Sequence, residues 1–182
     1  MKNPEEEAII QFALEDEKNL HLALSVGAAF APLQRELILR FLGSLQDRLA
    51  LLGPDWETTR HIVEEGWGTG LELRHKTWEP SVHVGFKSES KSVPLRYVYF
   101  WIRGDVPSTV KSALCDKLNQ EVGRGNESPK LLWWQYADMR WRHWVGTETL
   151  LEVWRQIDLL NDTFKRLSSI AQTAHKVLSI QE

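Results

Sequence analysis

Thr147 to Glu182 is a run of 36 residues without Gly or Pro. Leu150, Val153, Ile157, Leu160, Phe164, Leu167, Ala171, Ala174 and Leu178 recur through it at alternating spacings of three and four. That spacing puts nine apolar side chains on one face of an α-helix. Thr149-Leu150-Leu151-Glu152 fits the Ser/Thr-x-x-Glu capping box at its start. At about 1.5 Å per residue the helix would reach roughly 50 Å. A compact domain of this length is only about 40 Å across. Such a helix must break, project past the body, or pair along its length with other helices. Leu151, Trp154, Leu159, Ile170 and Val177 widen its apolar face beyond a coiled-coil seam. That width favours packing against the chain's own helices. Were another subunit to dock here, Trp154 and Phe164 would be its large contacts.

The first 53 residues read as a helical hairpin. Asn3-Pro4-Glu5-Glu6-Glu7 has a cap, a first-turn Pro and acids at the positive dipole end. Gly27 is the expected stop, and Ala31-Pro32 the expected start of a second helix carrying Ile38, Leu42, Leu45, Leu49 and Leu52. Residues 54–146 change period. Strands are expected at Trp56–Glu65, Leu71–Thr77, Val82–Phe86 and Leu95–Arg103, then a crossover helix from Ser108 to about Val122. Leu131–Tyr136 follows as a strand at or near the sheet edge. The expected fold is one α+β domain over 1–182. It combines an antiparallel meander of about four strands, two N-terminal helices, one crossover helix and the long C-terminal helix of 147–182.

Charge and composition exclude little. The net charge of −3 gives no global drive toward nucleic acid or anionic membrane. Glu5, Glu6, Glu7, Glu15, Asp16 and Glu17 stand against Lys2 and Lys18 in the first twenty residues, a local −4, so the remainder is +1. This acidic helix is a candidate surface for a basic partner. One cysteine, Cys115, allows no intrachain disulfide and fits a reducing cytoplasm. No apolar run approaches the roughly 18 residues of a membrane span, and no signal peptide is recognisable. No membrane contact, metal or cofactor is expected. Of nine tryptophans, eight fall between Trp56 and Trp144, in the strand-rich segment.

Three groupings carry candidate chemistry. Asp55 after Pro54, with Glu89 and Lys91 beyond, has the letters of the PD-(D/E)xK nuclease motif. In that chemistry two carboxylates hold a metal and a lysine assists water. Asp55 follows a helix terminator and Glu89 and Lys91 sit in a serine-rich loop, so a solvated hairpin is the plainer reading. His75 and His83 lie on strands expected to pair, yet a metal needs a further ligand. Arg140-Trp141-Arg142-His143-Trp144 interleaves cations and rings. Trp141 and Trp144 covering the strand-to-helix junction is the first reading, a protein contact the second and nucleic acid the third.

The Leu-rich helix ending near Gly53, Trp78 leading into Val82-His83-Val84-Gly85-Phe86, Leu132-Trp133-Trp134, and Trp144 before Glu148-Thr149-Leu150-Leu151 form an ordered set of landmarks. Over residues 36 to 178 this set resembles the C-terminal accessory region of bacterial PD-(D/E)xK nuclease superfamily proteins, without the nuclease core. The resemblance implies no catalytic residue here. It implies a module of bacterial or phage conflict systems that binds a protein partner or a second copy of itself, with nucleic acid as the alternative ligand.

Overall fold

A computed structural model describes residues 4–61, 69–88, 95–144 and 147–179, with the side chains of Glu6, Glu7 and Thr147 left aside. The chain opens with helices α1 (Pro4–Glu15) and α2 (Glu17–Leu49), then strands β1 (Trp56–His61), β2 (Gly70–His75), β3 (His83–Ser88) and β4 (Val98–Arg103). Helix α3 (Ser108–Glu121) leads to β5 (Asn126–Ser128) and β6 (Leu131–Tyr136), and α4 (Thr147–Arg155) and α5 (Asp158–Leu178) close it. The strands form one antiparallel sheet in the order β1-β2-β3-β4-β6-β5. The α+β class and the meander therefore hold, with six strands rather than about four. The extra hydrogen-bonded edge is β5, taken from a Gly- and Asn-containing segment that reads as loop. It displaces β6 from the edge to the sheet interior.

Both N-terminal helix boundaries move. The break falls at Asp16, whose extended backbone and carboxylate cap α2 by accepting from the Asn19 amide at 2.8 Å. Gly27 and Pro32 then lie inside a 33-residue helix of about 50 Å. Only its second half is buried, through Ile38, Phe41, Leu42, Leu45 and Leu49. The rod of that length is thus N-terminal. The C-terminal run breaks instead, at Gln156, a non-glycine residue with φ +54°. The break separates α4 from α5 and leaves Ile157 exposed, off the stripe. Leu160, Leu167, Ala171 and Ala174 stay on it and are buried.

Register sorts the sheet's side chains into two faces. Leu71 opposes Phe86, Val84 opposes Ile102, Phe86 opposes Phe100 and Ile102 opposes Trp133. These side chains point to one face and join the α2, α3 and α5 residues in a single core. Of α3, Val110, Leu114, Cys115 and Leu118 are buried, as its spacing predicts. The Cys115 thiol donates to the Leu132 carbonyl at 3.2 Å, and burial pushes its pKa up, which fits a packing thiol.

Leu167 is fully buried beneath the sheet. Leu167→Ala is expected to cost about 2–5 kcal/mol in urea denaturation. Gln156→Gly, which relieves the left-handed backbone, is expected to raise the same stability by about 1 kcal/mol.

Candidate functional site

The Arg140–Trp144 run spans the passage from β6 toward α4 and divides its side chains between two sides. Trp144 is 1% exposed, meets Phe41 edge-on at 4.9 Å and donates Nε1–H to the Trp141 carbonyl at 2.8 Å. Trp141 is buried too and donates Nε1–H to Asp162 at 3.0 Å. Arg140 remains outside, pairing with the same carboxylate at 3.2 Å and lying 4.1 Å over the Trp141 ring. Neither indole is offered to a partner, which corrects their place among interaction residues. The area of two tryptophans is worth more inside the core than on the surface. Behind them a cavity of about 780 Å³ lies between the inner sheet face and α5, with Phe86, Phe100, Trp141 and Trp144 among its lining residues.

Arg142 turns the other way, to the face of the sheet on which no described helix packs. Its guanidinium lies 4.5 Å over Tyr136. By alternation, Lys87, Tyr99, Trp101, Arg103, Trp134 and Tyr136 share this outer face, since Lys87 opposes Tyr99, Tyr99 opposes Tyr136 and Trp101 opposes Trp134. Trp134 and Tyr136 pack edge-to-face at 5.1 Å, with Tyr99 at 6.0 and 6.4 Å. Lys87 sits 5.3 Å over Trp101 and 5.8 Å over Tyr99, and Arg103 sits 5.2 Å over Trp101. Burial, then the nearby Arg103 charge, holds the Lys87 pKa below the ordinary lysine range. Toward β1 the face becomes ionic, with Glu72 at 2.9 Å from Arg103 and 3.1 Å from His61. Sequence reasoning passed over this surface. The signal was the period-two spacing of Tyr99, Trp101 and Arg103, and of Trp134 and Tyr136, on strands whose other face is also apolar.

The remaining predicted residues scatter. Asp55 stands at the start of β1 and lies 3.9 Å from Lys76. Glu89 and Lys91 lie outside the described residues. Ser88 ends β3 at the opposite end of the sheet from Asp55, about 23 Å away along the strand direction. Among the described residues no group of three metal-ligating side chains converges. Trp154 is 63% exposed on α4, whereas Phe164 is half-buried under the Arg48 guanidinium at 4.9 Å. Glu5 is exposed on α1, Asp16 is spent as a helix cap, and the side chains of Glu6 and Glu7 lie outside the description.

The arm made by α1 and the first half of α2 carries most of the exposed large apolar side chains among the described residues. Ile9, Ile10, Phe12, Leu14, Leu20, Leu22, Leu24, Val26, Phe30 and Leu33 are all exposed, Leu14 to 73% and Leu24 to 66%. Between residues 20 and 33 only His21 and Ser25 are polar. By length and composition Glu17–Leu52 is apolar enough to cross a membrane. Its stretch free of Asp, Glu, Lys and Arg, residues 19–34, spans about 24 Å as a helix, short of the roughly 30 Å hydrocarbon core.

No family model, curated protein or solved structure matches the chain.

His83 stays apart, but His75 meets an unforeseen partner. Its ring lies 4.1 Å from that of His175 on α5, beside Trp56 and Trp78, and Trp78 Nε1 donates to His175 Nδ1 at 3.3 Å. Burial, then the neighbouring His75, holds the His175 pKa below the ordinary imidazole range. The neutral form is therefore the folded one. Its stabilisation is complete above the unfolded value of about 6.5 and is lost as pH falls through the folded value, because the unfolded chain takes the proton first. Thermal melts should show a lower Tm at pH 5 than at pH 7.5, and His175→Gln, which retains an acceptor for Trp78, should narrow that difference. Glu121, held down to about 2 chiefly by Lys117 and Thr173, loses its contribution only below this window.

Proposed function

We propose that the chain is a non-catalytic interaction module that docks a protein partner through its N-terminal arm. The carrying observation is the row of ten exposed large apolar side chains between Ile9 and Leu33. At roughly 150–250 Å² for a fully exposed large side chain, the row amounts to about 1,000 Å², beyond the few hundred normal for a monomer. It matches one side of a standard protein–protein interface, about 800 Å². A helix apolar on nearly all sides requires cover on more than one face, which a groove or a helix pair supplies.

Two further features support this reading. The acids of α1 flank the apolar row, so a partner with a basic rim would complement it. The likeness of residues 36–178 to an accessory region favours a partner from a bacterial or phage conflict system. The uncharged stretch falls short of a bilayer, which favours protein over membrane as the cover.

Light scattering and a stoichiometric pull-down from the native host test it. Leu20→Glu, Leu24→Glu and Phe30→Glu together should weaken the complex at least about tenfold while leaving the Tm of the body unchanged, since none of the three is in the core. A monomer that retains no stoichiometric partner would overturn the proposal, as would flotation with lipid vesicles. Glu5→Lys, Glu6→Lys and Glu7→Lys together should weaken capture. Capture indifferent to that reversal removes the acidic part of the surface.

A further inference from the structure

We propose that the helix-free face of the sheet binds single-stranded nucleic acid, a ligand and a surface distinct from those of the N-terminal arm. In an antiparallel sheet with helices on one side, the other side should alternate to polar residues. Here β4 and β6 send Tyr99, Trp101, Trp134 and Tyr136 outward instead. Cations interleave with these rings. Arg103 and Lys87 lie over Trp101, Lys87 also approaches Tyr99, and Arg142 covers Tyr136.

The roles within the row differ. Trp101 is 1% exposed and lies flat over Gly85, where a Cβ would come within 2.7 Å of the indole. It is the foundation of the platform. Trp134 and Tyr136 are half-buried and present the ring surface that bases can reach, on Tyr136 the part that Arg142 leaves open. Arg103 is committed to Glu72 at 2.9 Å. Lys87 and Arg142 have no carboxylate within ion-pair distance among the described residues, and the buried Arg142 Nε has no hydrogen-bond partner. Lys87 on β3 and Arg142 beyond β6 thus flank the two accessible rings with positive charge that no ion pair among the described residues takes up, Glu72 acting on Lys87 only at longer range.

A ligand that satisfies this row needs planar faces and repeated negative charge. Nucleotides joined in a single strand supply both, since bases stack on aromatic rings without regard to sequence and phosphates meet the cations. An acidic peptide supplies charge without rings. A duplex hides its bases, and among the described residues no helix stands on this face to enter a groove.

Fluorescence anisotropy of the full-length chain with labelled twelve-nucleotide dT and U oligomers reads the outcome. Binding should weaken with salt, and Lys87→Ala with Arg142→Ala should lower the slope of log K against log salt by about 1.4. Trp134→Ala and Tyr136→Ala should each weaken binding roughly 5- to 100-fold, while Trp134→Phe, which keeps a ring and the fold, retains it. The arm variant above should bind oligomers normally. Absence of binding at 50 mM salt overturns the proposal. So does preference for duplex, indifference to loss of both rings, or displacement by polyglutamate as effective as displacement by unlabelled oligomer.

Discussion

Every described helix that packs on the sheet lies on the same face. The second half of α2, together with α3 and α5, buries Leu71, Val84, Phe86, Phe100, Ile102 and Trp133. This one-sided burial is the constraint on which the rest depends. It places Phe41 against Trp144 and Trp78 against His175, and it uses up every helical face that the sheet can cover. Among the described residues the outer face is finished by its own side chains, with rings under cations. The first half of α2 runs on past the edge of the core, and its large apolar side chains stay exposed.

Much of the helical and strand structure was legible because it follows from periodicity alone. The inward set of α3, the stripe of α5 from Leu160 to Ala174, and the meander through β4 all occupy their expected places. The boundaries were less legible where two local signals compete. At the N-terminus, a Gly and a Pro argued for a stop near residue 30, yet Asp16 breaks the helix and the chain runs through both. The Asp16 carboxylate replaces a missing backbone partner at the new end, a gain that a Gly within a helix does not offset. At Gln156 no local residue type signals a break. The turn between α4 and α5 puts Val153 and Leu160 into the core together, and the positive φ is its cost.

The candidate sites were legible in proportion to how local they are. Arg140–Trp144 drew attention as a run of five, but its side chains part to opposite sides of the sheet. Trp141 and Trp144 join the core, while Arg142 reaches a ring on β6. The outer-face row is assembled from β3, β4, β6 and the segment after it, so no window of sequence contains it. The pairing of His75 with His175 crosses 100 residues for the same reason.

The sequence by itself determined the α+β class, the helical and strand periods, the inner face of α3 and α5, and the absence of an intrachain disulfide, because each rests on spacing or residue type within a short stretch. Only the tertiary structure decided which long helix is left uncovered. An apolar stripe is the same pattern whether or not something packs on it, and burial depends on where the sheet ends. It also decided which aromatic residues became core and which became surface. The strands place side chains on both faces alike, and the helices had room to cover only one of them.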